Sequence, residues 1–107
     1  MRIYYRVSDF DNVLIYCEKL LEIDENNETA NIFKARINMK LGEYEIAYTV
    51  WQKLLQIDQN NLEALIGSGR GLYLLGDYSK SREFLERVLE ISPDERRARR
   101  TLALVYE

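Results

Sequence analysis

The chain has 107 residues, 47% of them hydrophobic and 31% charged, with a formal net charge of −3; these proportions belong to a folded domain, and the acidic balance argues against a general nucleic-acid or anionic-membrane binder. Histidine is absent and cysteine occurs once, at Cys17, so the commonest general base and metal ligand is missing, no intrachain disulfide can form, and a cytoplasmic setting is the expectation. No apolar run approaches the ~20 residues of a membrane span, and the N-terminus has no signal-peptide core, so no membrane insertion is expected.

Taken in chain order, the first signal is Val7-Ser8-Asp9-Phe10, followed by Lys19-Leu20-Leu21-Glu22-Ile23-Asp24 and the polar break Glu25-Asn26-Asn27. The stretch 28–41 then reads as a helix that ends at Leu41-Gly42-Glu43-Tyr44, a second copy of the first motif. Gly42 stands where a helix must stop and a left-handed residue is useful. Tyr44, Ala47, Tyr48, Trp51, Leu54, Leu55 and Ile57 follow at helical spacing, up to the break Gln59-Asn60-Asn61. The stretch 62–75 repeats the earlier helix, and Leu75-Gly76-Asp77-Tyr78 repeats the turn. The interval from Leu41 to Leu75 equals that from Val7 to Leu41. Tyr78, Phe84, Leu85, Val88, Leu89 and Ile91 repeat the second helix. Ser92-Pro93-Asp94-Glu95 reads as a capping box with proline at the first helical position, opening a last helix. No alternating pattern of useful strand length occurs.

A helix-turn-helix unit with this 34-residue period resembles the tetratricopeptide repeat. The resemblance is strongest over residues 62–95, in Leu65, Gly69, Leu72, Gly76-Asp77-Tyr78, Leu85 and Pro93. Residues 28–61 keep Ala35, Gly42-Glu43-Tyr44, Ala47 and Trp51 but depart at Asn31, Lys34 and Asn38, so their first helix is expected to pack through Ala30, Phe33, Ile37 and Leu41 instead. The resemblance implies an all-α fold, a right-handed superhelical array of antiparallel helix-turn-helix repeats with about seven helices. Residues 1–27 form a partial repeat, 28–61 and 62–95 complete ones, and 96–107 the first helix of another. A chain opening in mid-unit is expected to be a segment of a longer protein, the alternative being an unusually short natural one.

In such arrays the first helices of successive units line a concave groove that holds peptides. Arg2, Arg36 and Arg70 recur at the 34-residue period, so regular stacking aligns them. Arg6 and Lys40 lie four residues on, hence on the same helix faces, and Arg97 and Arg100 open the next helix. Tyr5, Ile32, Phe33, Ile66 and Tyr73 lie among the charges as apolar contacts, and Gly67 would leave room for a ligand. The guanidinium fork pairs well with carboxylates, so the expected partner is another protein or peptide that brings an acidic stretch or a C-terminal carboxylate into the groove. The competing reading pairs these arginines with Glu28, Glu63 or other acids. Repulsion between two cations ~10 Å apart in water is only about 0.4 kcal/mol, so an unoccupied row is tolerable. The family's clamp on chaperone C-terminal carboxylates uses lysine, arginine and two asparagines; here the corresponding positions look like Arg2 and Phe33, with Asn31 and Asn38 in other columns, so chaperone tails are not expected.

Self-assembly is the alternative, with Leu102, Val105 and Tyr106 as an exposed edge through which terminal helices would form a homo-oligomer. A third reading makes the chain an interaction module of a larger enzyme. Within these residues no catalytic constellation, phosphate loop, metal-ligand spacing or cofactor motif occurs, and no enzyme is expected. Cys17 aligns with Trp51 and Leu85 and reads as a buried core thiol; Trp51 reads as core, and Asp24 and Asp58 as turn residues. The basic stretch 96–100 is too short to argue for nucleic acid.

Overall fold

A computed structural model describes the backbone of residues 2–106 and the side chains from residue 10 to residue 106. The described residues form six helices: α1 Arg2–Ile23, α2 Glu28–Lys40, α3 Tyr44–Ile57, α4 Leu62–Leu75, α5 Tyr78–Ile91 and α6 Arg96–Val105. The starts of α2, α4 and α6 are evenly spaced at the repeat period, and those of α3 and α5 stand the same interval apart. Each helix packs on the next, and α2 also touches α4, and α4 touches α6. The even-numbered helices therefore form an inner row, with α1, α3 and α5 behind them.

The count of six, against about seven expected, has a local cause. At the other two hairpin turns the break is made by Gly42 at φ 81° and Gly76 at φ 91°. In both, the residue after the glycine donates its N–H back into the helix, Glu43 to Asn38 at 2.8 Å and Asp77 to Leu72 at 2.9 Å, closing a Schellman motif. Among the described residues no non-glycine residue takes positive φ. The equivalent of these glycines is Ser8, for which a left-handed backbone would cost roughly 1–2 kcal/mol. The helix runs through Val7-Ser8-Asp9-Phe10 without stopping.

The connections between α1 and α2, α3 and α4, and α5 and α6 are three copies of one turn. Asn27 N–H bonds to Asp24 O, Asn61 N–H to Asp58 O, and Glu95 N–H to Ser92 O, each at 3.1 Å. Asp24 and Asp58 also accept from the backbone two residues on, at 3.1 and 3.0 Å, which is the turn chemistry expected of them. This corrects the reading of Ser92-Pro93-Asp94-Glu95. Ser92 caps the C-terminus of α5, Pro93 lies inside the turn, and Glu95 is the N-cap of α6, accepting from Arg97 N–H at 3.3 Å. Proline suits the second position of a tight turn as well as the first turn of a helix, and the sequence alone does not choose between them. Asn27 and Asn61 cap α2 and α4 through Ala30 and Ala64 N–H, at 2.9 and 3.1 Å.

Two apolar clusters hold the row together. Ala35, Ala47, Val50, Trp51, Leu54 and Ala64 join α2, α3 and α4. Leu65, Ile66, Leu85, Val88, Ala98 and Leu102 join α4, α5 and α6. α2 packs through only half of the expected stripe: Ala30 and Ile37 are buried, but Phe33 is 46% and Leu41 39% exposed, and Asn31, Ala35 and Asn38 are buried in their place. The asparagines keep the positions that the neighbouring unit fills with Leu65 and Leu72, because the packing of the row, not local polarity, sets which face turns inward. Asn31 Nδ2 is satisfied by the carbonyls of Glu25 and Asn27 at 3.2 and 3.0 Å. Asn38 Nδ2 and Trp51 Nε1 are buried with no hydrogen-bond partner among the described residues.

Candidate functional site

The inner row of helices carries two adjoining recesses. The first, about 260 Å³, is lined by Arg36, Met39 and Lys40 from α2, Trp51 from α3, Glu63, Ile66, Gly67, Arg70 and Leu74 from α4, and Arg97 from α6. The second, about 290 Å³, is lined by Arg70, Tyr73 and Leu74 from α4 and by Arg97, Arg100, Thr101 and Leu104 from α6. Arg70, Leu74 and Arg97 border both, so the recesses form one groove with Arg70 at the junction. Helical spacing explains the layout. Ile66, Arg70 and Leu74 are four residues apart and form one row along α4.

Seven of the eleven groove residues expected from sequence meet here: Arg36, Lys40, Ile66, Arg70, Tyr73, Arg97 and Arg100. Ile66 is 2% exposed and belongs to the floor. Phe33 borders neither recess. The side chains of Arg2, Tyr5 and Arg6 lie outside the described residues. Gly67 has a different role from the one expected. A Cβ at this position would overlap the Trp51 indole, so the glycine makes room for α3's tryptophan and not for a ligand. Trp51 is 2% exposed and is core, as expected, although one part of it borders the first recess.

The cations divide into two groups. Glu63 accepts from Arg36 Nη2 at 3.0 Å and from Arg97 Nη1 and Nη2 at 3.1 and 3.2 Å, and Arg97 Nε also bonds to Glu95 at 2.9 Å. Burial opposes the charge on Glu63, but the hydrogen bonds from Arg97 and Arg36 outweigh it and hold the carboxyl below the usual glutamate range. The Arg97 hydrogen bond likewise lowers Glu95, and the bonds to Glu95 and Glu63 hold the Arg97 guanidinium in its charged form. Lys40, Arg70 and Arg100 have no ion-pair partner among the described residues. The competing sequence reading, which named Glu63 as an internal partner, thus applies to Arg36 and Arg97.

Sequence reasoning missed Met39, Leu74, Thr101 and Leu104 in the lining. Two signals were available. Leu104 is the next member, at the 34-residue period, of the column that contains Arg36 and Arg70, so the column turns apolar on α6. Glu63 and Arg97 are also one period apart, which places opposite charges side by side on stacked helices.

The expected self-association edge needs correction at Leu102. It is 7% exposed and packs with Leu65, Leu85 and Val88, because Ala98, Thr101, Leu102 and Val105 share the face that α6 turns to α4 and α5. Leu104 and Tyr106 are the outward residues, 44% and 62% exposed, and Tyr106 OH donates to Glu86 Oε2 at 3.0 Å. Cys17 is buried, and burial pushes its thiol pKa up. Among the described residues no cluster of three histidine, cysteine or acidic side chains could hold a metal ion, and no helix is long and apolar enough to cross a membrane.

Stacked helical hairpins of one fixed period, with a groove along their first helices, define a class of helical-repeat proteins. The tetratricopeptide repeat family model matches residues 43–105, more than half of the chain, and the chain belongs to that family. No curated protein sequence matches it. Similar solved structures include the first tetratricopeptide domain of Spaghetti (RPAP3) bound to the HSP90 peptide SRMEEVD, at 18% identity and TM-score 0.87, covering 98% of this chain and 83% of that one. The second such domain of human RPAP3, in complex with the HSP70 peptide SGPTIEEVD, aligns at 17% identity and TM-score 0.85 over 99% of this chain and 88% of that one. MamA from Desulfovibrio magneticus aligns at 25% identity and TM-score 0.85 over 98% of this chain and 59% of its own. The two RPAP3 likenesses are of fold.

Proposed function

We propose that this chain is a non-catalytic protein-interaction scaffold whose α2–α4–α6 groove holds an acidic peptide or an acidic segment of a partner protein. In this reading residues 28–61 and 62–95 are complete repeats, flanked by part repeats at 1–27 and 96–107. The observation that carries it is charge. Five cations and one carboxylate line the groove of a chain whose net charge is −3. A concave cationic strip between apolar walls concentrates the field and favours an anionic ligand. Two of the similar structures hold acidic peptides in domains of the same fold. A chaperone tail is not the proposed ligand, because Asn31 and Asn38, the asparagines nearest the groove in sequence, are packed inside the helix row.

The test is a peptide-array titration at two salt concentrations with the wild-type chain and the Arg36→Glu/Arg70→Glu double variant. Acidic peptides should bind the wild type more weakly at high salt, since screening shortens the reach of the field, and should not bind the variant. Circular dichroism would confirm that the variant is still helical. Equal capture by a folded double variant would rule the groove out. Absence of binding by both, with association on light scattering, would move the function to self-assembly through Val105, Tyr106 and the rest of the α6 edge.

A further inference from the structure

The cations of the groove are not equivalent, and the difference bears on what the groove selects. Arg36 and Arg97 already face a carboxylate: Glu63 lies 3.0 Å from one and 3.1 Å from the other. An incoming carboxylate at either would displace Glu63, exchanging one charge-assisted bond for another with little net gain. Arg70 is exposed, has no ion-pair partner among the described residues, and stands where the two recesses meet. On either side of it apolar side chains share the lining with the charged ones. Met39 and Ile66 lie in the first recess, and Tyr73 and Leu104 in the second. The recesses measure about 260 and 290 Å³. A cavity of about 150 Å³ already admits benzene, so each can take one large apolar side chain.

We infer that the groove recognises an acidic residue flanked on both sides by large apolar residues, with Arg70 receiving the carboxylate and each recess one apolar side chain. Arg36 and Arg97 are positioning residues: through Glu63 they tie α2, α4 and α6 into one wall. This rests on the groove being the peptide site, and it goes further by naming the residue that reads charge and the pattern that is read. The occupant is an extended peptide segment in which the acidic residue and the two apolar residues stand two positions apart, so that all three side chains face the groove, the acidic one at Arg70 and the apolar ones in the neighbouring recesses.

The experiment uses the full chain and fluorescein-labelled synthetic peptides, followed by anisotropy. The parent peptide places one glutamate with a leucine two positions away on each side, on a serine-glycine background. A second replaces the glutamate by glutamine, and a third replaces the leucines by serine. Each is titrated against the wild type, Arg70→Gln and Arg36→Gln, with helicity checked by circular dichroism. The wild type should prefer the glutamate over the glutamine peptide by about 3- to 5-fold, as an exposed ion pair gives. Arg70→Gln should bind the two alike, and Arg36→Gln should keep the preference; this cycle separates ligand pairing from mere support of the fold. The serine peptide should bind about 10-fold more weakly than the parent.

If Arg36→Gln erases the preference and Arg70→Gln keeps it, the assignment of Arg70 is overturned while the groove remains the site. If the serine peptide binds as tightly as the parent, the apolar recesses take no part. If the wild type binds neither this peptide nor any acidic peptide, the inference and the proposed function fail together.

Discussion

Glu63 shows how one side chain ties three helices. Its carboxylate bridges Arg36 of α2 and Arg97 of α6 from its own place in α4. The partners are 45% and 40% exposed, so the link contributes on the order of 1 kcal/mol or less. It is nonetheless measurable through pH, because the carboxyl titrates below its usual range in the folded chain. A group whose folded pKa is lowered stabilises the protein above its unfolded pKa and loses that contribution as pH falls through the folded one. At neutral pH, Glu63→Gln should therefore melt below the wild type. The gap should close as pH drops through the usual glutamate range and below it, as thermal melts followed by circular dichroism would show. A gap that stays constant across this range would mean that the ion pairs add nothing. The sequence places Glu63 and Arg97 one period apart, but it does not say which arginine the glutamate chooses, since that depends on how closely α4 and α6 approach.

At the scale of elements, α3 and α4 are held at a distance set by one missing methyl group. Trp51 lies against Gly67, and an added Cβ would overlap its ring. Gly67→Ala must push the indole or the helix aside, and overpacking of this kind costs about 1–3 kcal/mol. Urea unfolding should show that loss, and the tryptophan fluorescence of the folded variant should shift. Pairing the change with Trp51→Phe should recover part of it, because the smaller ring vacates space; full additivity of the two changes would show that the contact is not the cause. The turns follow a similar logic. Gly42 and Gly76 stop their helices with positive φ, and Ser8, in the matching place, does not. The turn motif is legible along the chain, but the single substitution at Ser8 removes its stop, and the long α1 is the result.

Across the whole molecule, each helical layer depends on the next. Ala98 and Leu102 of α6 cover Leu65, Leu85 and Val88 in the second cluster. A chain cut after Glu95 would expose those residues to water. It should lose about 3 kcal/mol or more of stability, judged from the transfer of one leucine and its buried contacts. In an array of nearest-neighbour contacts the loss should spread inward, with a broader urea transition and early exchange of α5 amides. A truncated chain as stable and as cooperative as the parent would show that α6 is an appendage. The same packing decides the fate of the proposed edge, since Leu102 serves the core and only Leu104, Tyr106 and the partly buried Val105 face outward or sideways.

The 34-residue period, the helical spacing of its apolar residues and the glycines at two of its turns were enough to determine the architecture, because each is a local property that recurs with the unit. The column of Arg36 and Arg70, on which the proposed acidic preference rests, follows from the same periodicity. Tertiary structure alone decided that Glu63 engages Arg36 and Arg97 but not Arg70, that Gly67 yields its space to Trp51, and that Asn31 and Asn38 are buried while Phe33 is not. Those outcomes depend on how near and at what rotation neighbouring helices lie, and a period along the chain carries no information about the distance across it.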